Sequence, residues 1–91
     1  MKLSKNEMGF AMCRGADGKL VAGPTAWGTP TSVAIPVQCP TGADFIGLFH
    51  THPGGVSFPS AQDIASALRV GGKTLCIESE ADGLKCFKIE R

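Results

Sequence analysis

DFIGLFHTHPGGVSFPSAQDIASALRV, residues 44 to 70, changes pattern three times within one stretch, and those changes decide the fold. Asp44 to Phe49 is an apolar run bounded by turn residues, which suits a central β-strand. It delivers the chain directly to His50 and His52, the only two histidines present. A loop rich in proline and glycine follows, from Pro53 to Pro59. Ser60 to Val70 then reads as a helix: Ser60 is a good N-cap, Ile64, Ala67 and Leu68 share one face, and Gly71-Gly72 stops it. No other segment carries a convincing helical pattern.

Outward from this unit, the chain reads as short strands. Met8 to Arg14 and Lys19 to Ala22 flank the turn residues Gly15-Ala16-Asp17-Gly18 and predict a hairpin. Gly23 to Thr31 reads as a loop with Trp27 partly covered, and Ser32 to Val37 as a strand that Pro36 pushes toward an edge or a bulge. Thr74 to Ser79 and Leu84 to Ile89 are strands joined at Asp82-Gly83, a dipeptide that favours tight hairpin turns. The expected architecture is α+β, a small mixed or antiparallel sheet with one main helix packed on it, in a single domain spanning residues 1 to 91.

Bulk composition fits that reading. Apolar residues make up 43% and charged residues 19%, a globular balance. A chain of this length buries only about 60 to 65% of its unfolded surface, so the core must be thin. Nine basic residues against eight acidic ones give a net charge of +1 with no Lys/Arg run, so direct nucleic-acid binding is not expected. No apolar stretch approaches the length of a membrane span. Met1 to Lys5 run into Asn6-Glu7 rather than an apolar segment, so a cytoplasmic protein is expected. The cysteines at 13, 39, 76 and 86 form no Cys-x-x-Cys pair, and Cys13, Cys76 and Cys86 fall in apolar strand-like segments. They are expected to be reduced and packed as small hydrophobes.

The chemistry concentrates at the strand end. In an extended segment residues i and i+2 point to the same side, roughly 6.5 Å apart, so His50 and His52 present two imidazoles to one volume. Asp63 lies in the first turn of the following helix, which the loop can swing back over them. Two imidazoles and a carboxylate make the ligand set of a catalytic zinc, with a fourth position left for water. Each residue also has a plainer reading. Ser60-x-x-Asp63 is a capping-box variant, and a histidine at a strand end is usually solvated or hydrogen-bonded.

His50-Thr51-His52-Pro53 followed, after seven residues, by Ser60-Ala61-Gln62-Asp63 resembles the signature of the JAMM (MPN-plus) zinc metallopeptidases. The resemblance implies a truncated JAMM or cytidine-deaminase-like core, with His50, His52 and Asp63 as zinc ligands. It also implies a glutamate upstream at the start of an apolar strand, a placement that Glu7 fits, with Glu78, Glu80 and Asp44 as the other candidates. Glu7 would hold and deprotonate the attacking water, and Ser60 would hydrogen-bond the oxyanion. The implied activity is hydrolysis of a peptide or isopeptide bond, with a peptide or a ubiquitin-like protein as partner and the modifier's C-terminal tail as a candidate site of cleavage. RadC-like proteins share the motif, so a DNA-linked or interaction module is an alternative, as is a zinc-stabilised domain without turnover. Members of the family begin with a strand and a helix ahead of the glutamate. With six residues before Glu7, a sheet edge is expected to lie uncovered and open to a partner or a second copy.

Overall fold

The computed structural model describes residues 3–89, so the first two residues of the Met1–Lys5 stretch lie outside the described residues. Among the described residues six strands form one sheet: β1 (Met8–Arg14), β2 (Leu20–Ala22), β3 (Ala26–Trp27), β4 (Asp44–His52), β5 (Thr74–Ser79) and β6 (Gly83–Lys88). The order across the sheet is β2-β1-β4-β5-β6, and β3 pairs with β1. All pairings are antiparallel except β4 with β5, which run parallel because the helix α1 (Ala61–Val70) carries the chain back between them. The sheet is therefore mixed, as the strand–loop–helix pattern of residues 44–70 implied.

The turns follow their residue chemistry. Gly18 and Gly83 take positive φ, 83° and 71°, where any side chain would be strained. Ser60 caps α1 with extended backbone, and Gly71 ends it in the left-handed region at φ 78°. Ala67 is fully buried and joins Leu48, Leu75 and Ile77 in the core. Leu68 is half-buried on the same side, but Ile64 keeps 37% of its surface exposed, so the inward face of α1 is narrower than its pattern suggests.

Several expectations are corrected. Ser32 to Val37 joins no strand, because the edge of β1 it would need is already taken: β2 pairs with Met12–Arg14 and β3 with Met8–Gly9. The segment instead packs across the sheet through Ile35, which lies so close to Gly9 that a Cβ there would stand 2.5 Å from the Ile35 Cδ1. Trp27, expected to be partly covered, is 62% exposed. β1 is paired on both sides, and the outer strands of the sheet are β2, β3 and β6.

The cysteines are not reduced thiols: Cys13 is bonded to Cys39, and Cys76 to Cys86. Cys76 and Cys86 stand directly opposite each other in the β5–β6 ladder, and the 38–39 segment returns alongside β1, bringing Cys39 to a Cα–Cα distance of 5.9 Å from Cys13. Spacing along the chain shows neither pairing, since both depend on which residues face each other across strands.

Candidate metal and catalytic centre

β4 continues three residues past its apolar run, so both histidines lie within the strand and on one face of the sheet, two residues apart. Leu48 shares that face and opens into the core, while His50 and His52 stand nearer the end of the strand. Gly9 is the register partner of His50 on β1, and Glu7 precedes it by two residues, which sets the carboxylate on the same side. Glu7 is held there by its backbone: its N–H donates to the Thr29 carbonyl at 2.8 Å, and its carbonyl accepts from Gly28 N–H at 2.9 Å. A short return strand, not a preceding helix, therefore positions this glutamate.

The helix start supplies the fourth group. Ser60 Oγ accepts from the Asp63 N–H at 3.1 Å, and the Ser60 N–H donates to Asp63 Oδ2 at 2.9 Å, a complete capping box. The same carboxylate faces both rings, with Oδ1 3.4 Å from His50 Nε2 and Oδ2 3.1 Å from His52 Nε2. Capping and site-building are thus one arrangement. Because Ser60 Oγ uses only a lone pair in the cap, its proton is free to be donated elsewhere.

The loop between strand and helix fixes a tautomer. His52 Nδ1 lies 2.9 Å from the Val56 carbonyl; a carbonyl only accepts, so Nδ1 carries a proton, and in the neutral ring the Nε2 lone pair then points at Asp63. In that form two acceptors stand 3.1 Å apart, a contact that either a proton or a metal ion between them makes favourable. Val56 is held in turn by its neighbour Ser57, fully buried, whose Oγ donates to the Gly83 carbonyl and meets Ser79 Oγ at 2.7 Å. The Ser57 N–H donates to Asp82 Oδ2 at 3.0 Å. This anchor to the β5–β6 turn was not legible in the sequence. Ser57→Ala is expected to lower stability by about 1–3 kcal/mol by removing the donor to the Gly83 carbonyl and the acceptor for the Ser79 O–H, read as a shifted urea midpoint.

Burial sets the charge states. Desolvation holds the His50 imidazole below its ordinary pKa, with Asp63 acting to raise it and His52 to lower it further, so the neutral ring is favoured. Burial likewise raises the Glu7 carboxyl above the ordinary glutamate value, a shift that His52 opposes and Asp63 reinforces. His50 Nδ1 is buried without a hydrogen-bond partner, 3.3 Å from Glu7 Oε1.

One ligand atom from each of Glu7, His50 and His52 lies within 4.8 Å of the others, and Asp63 joins them through the two close contacts above. Imidazole and carboxylate donors about 2.0–2.2 Å from a tetrahedral ion stand roughly 3.3–3.6 Å from each other. The nitrogen–oxygen separations of 3.4 and 3.1 Å are close to that edge. A neutral His50 ring and a carboxylate that faces the Nε2 atom of both imidazoles suit a divalent cation. Of the other acids considered from the sequence, Asp44 is exposed at the start of β4, Glu78 is half-buried in β5, and Glu80 accepts from the Leu3 N–H; none lines this cavity.

A mixed sheet with two histidines ending a central strand, and an acid at the start of the helix that follows, defines a JAB/MPN-type domain. The chain belongs to the family of prokaryotic homologs of the JAB domain, whose pattern matches residues 21–89. His50, His52, Ser60 and Asp63 fall inside that span and Glu7 ahead of it. Among solved structures, the chain is similar to a JAB1/MPN domain protein from Archaeoglobus fulgidus, with a TM-score of 0.59 and 22% identity over 90% of this chain and 69% of that one. That likeness is one of fold. No curated protein matches the chain. No helix among the described residues is long and apolar enough to cross a membrane.

Proposed function

We propose that this domain is a zinc-dependent hydrolase of peptide or isopeptide bonds, with the C-terminal tail of a ubiquitin-like protein as one candidate substrate. The observation that carries the reading is the convergence of His50, His52 and Asp63, with a buried Glu7 beside them, at a cavity of about 690 Å³. His50, His52 and Asp63 would hold the ion, which when bound supplies Lewis acidity and makes water a better nucleophile at neutral pH.

The remaining steps belong to the chain. Glu7, its pKa raised by burial toward the working range of a general base, takes the proton of the attacking water as the oxygen bonds to the carbonyl carbon. The Ser60 hydroxyl, at the cavity rim, donates to the carbonyl oxygen as that atom gains charge. When the C–N bond breaks, Glu7 returns its proton to the leaving amine. The Val56 carbonyl keeps His52 in the required tautomer throughout.

A second reading has its own support. α1 enters the core through the small Ala67, so an ion joining Asp63 to β4 would staple the helix to the sheet without any turnover. Metal content and cleavage of a ubiquitin-like fusion, measured before chelation, after it, and on zinc return, separate the two. The hydrolase reading expects about one zinc per chain and activity that is lost and restored with the metal. Loss of the fold on chelation, with no peptide or isopeptide ever cut, would leave the staple.

A further inference from the structure

Beyond the reactive cluster, the cavity has a second charged feature. It extends from Glu7, His52 and Asp63 along the length of α1, between that helix and residues 30–37, over a floor that includes Leu48 and Leu75. The helix contributes the stripe Gln62, Ser66, Arg69 and Val70, spaced as one face at 3.6 residues per turn. Among the described residues Arg69 is the only lysine or arginine lining this cavity, and its side chain makes no hydrogen bond or ion pair with any of them. Its position in the last turn suits the negative end of the helix dipole. A dipole partner can face solvent anywhere around the helix, however, whereas Arg69 lines the groove that holds the reactive groups.

The spacing gives the substrate a shape. Six residues separate Asp63 from Arg69, a rise of about 9 Å along the helix, and an extended peptide covers that distance in roughly three residues. Along α1 from the reactive end, the groove is lined by Ser60, Gln62 and Ser66 and then by Arg69 and Val70. Arg69 brings a fork of N–H donors that has no partner among the described residues. Such a fork matches a carboxylate in two-point geometry.

Building on the hydrolase reading, we infer that Arg69 is a specificity residue that selects an extended peptide with an acidic side chain or a terminal carboxylate about three residues from the bond to be cut. The segment nearest that bond is polar, because Ser60, Gln62 and Ser66 line the helix side of the cavity there. The substrate class is therefore an acidic tail rather than a basic one.

Three peptides differing only in Glu, Gln or Lys at the third position from the scissile bond, made in both orientations, test the inference. The wild-type domain is expected to favour the Glu peptide in kcat/KM by roughly tenfold over Gln, with Lys poorest. Arg69→Gln erases the difference and Arg69→Glu inverts it toward Lys, whereas Arg69→Lys, adequate for a dipole role, retains only part of it. Equal use of the three peptides by wild type, or a preference that survives in Arg69→Gln, overturns the inference while leaving the hydrolase in place. The same peptides are titrated onto the Glu7→Gln protein by fluorescence anisotropy. Charge-selective binding with no cleavage by wild type upholds Arg69 and removes the hydrolase; absence of both cleavage and selective binding removes Arg69 as well.

Discussion

Glu7→Gln is expected to lower turnover roughly 100- to 10,000-fold, the range over which a positioned general base acts, with the fold and the bound metal retained. Glutamine keeps the volume and hydrogen-bonding span of the side chain but cannot accept the proton of the attacking water. The three proposed ligands, His50, His52 and Asp63, are untouched, and their mutual contacts do not pass through Glu7. Stability provides an independent check with a definite sign. Burial raises the Glu7 pKa above its unfolded value, so the metal-free native state binds that proton more tightly than the unfolded chain does. The ionised carboxylate therefore costs stability, increasingly as pH rises from the unfolded value of 4.5 through the raised one. In the metal-free state Glu7→Gln should melt no lower than wild type at neutral pH, and its advantage should shrink as pH falls through that window and vanish below it. Zinc content, kcat and melting temperature measured on the same preparations decide the matter. Loss of zinc in step with activity would make Glu7 a fourth ligand and not the base.

Residues 44–70 were legible because each of their features is local. An apolar run, a pair of alternating histidines, a serine cap and a glycine stop need only the pleat of a strand and the turn of a helix to be placed. The same is true of the capping box at Ser60 and Asp63, which sets the side-chain direction that the proposed ligand set would need. What could not be read depends on contacts between distant segments. The Val56 carbonyl has no side-chain signal at all, and Ser57 earns its place only because the β5–β6 turn returns to meet it. Ser32 to Val37 has the composition of a strand and lost its place to Ala26–Trp27, a two-residue pairing too short to show a period. That substitution matters for the site, since it leaves residues 30–37 free to wall the cavity and uses β3 to fix Glu7.

Loss of the two disulfides is expected to produce the largest change in stability. Cys13–Cys39 closes a loop of 26 residues and Cys76–Cys86 one of 10. Chain-entropy arguments assign these roughly 3.5 and 2.7 kcal/mol respectively. A domain of this size has a total stability of about 5–14 kcal/mol, so the pair amounts to a large share of it. The core explains the need: Leu48, Ala67, Leu75 and Ile77 form its buried centre, and two of the surrounding hydrophobics, Ile35 and Ile89, lie outside the strands. Of the two bonds, Cys13–Cys39 bears more on function, because residues 30–37 have no strand pairing and Cys39 ties their far end to β1. Cys13→Ala/Cys39→Ala should lower the melting temperature by roughly 15–25 °C and raise KM more than it lowers kcat, since it loosens one wall of the groove and leaves His50, His52 and Asp63 in place. Thermal melts with and without a dithiol reductant, alongside thiol titration of the unreduced protein, measure this directly. Four titratable thiols and a melting point indifferent to reductant would mean that the cysteines pack as thiols and that the groove wall is held by Ile35 alone.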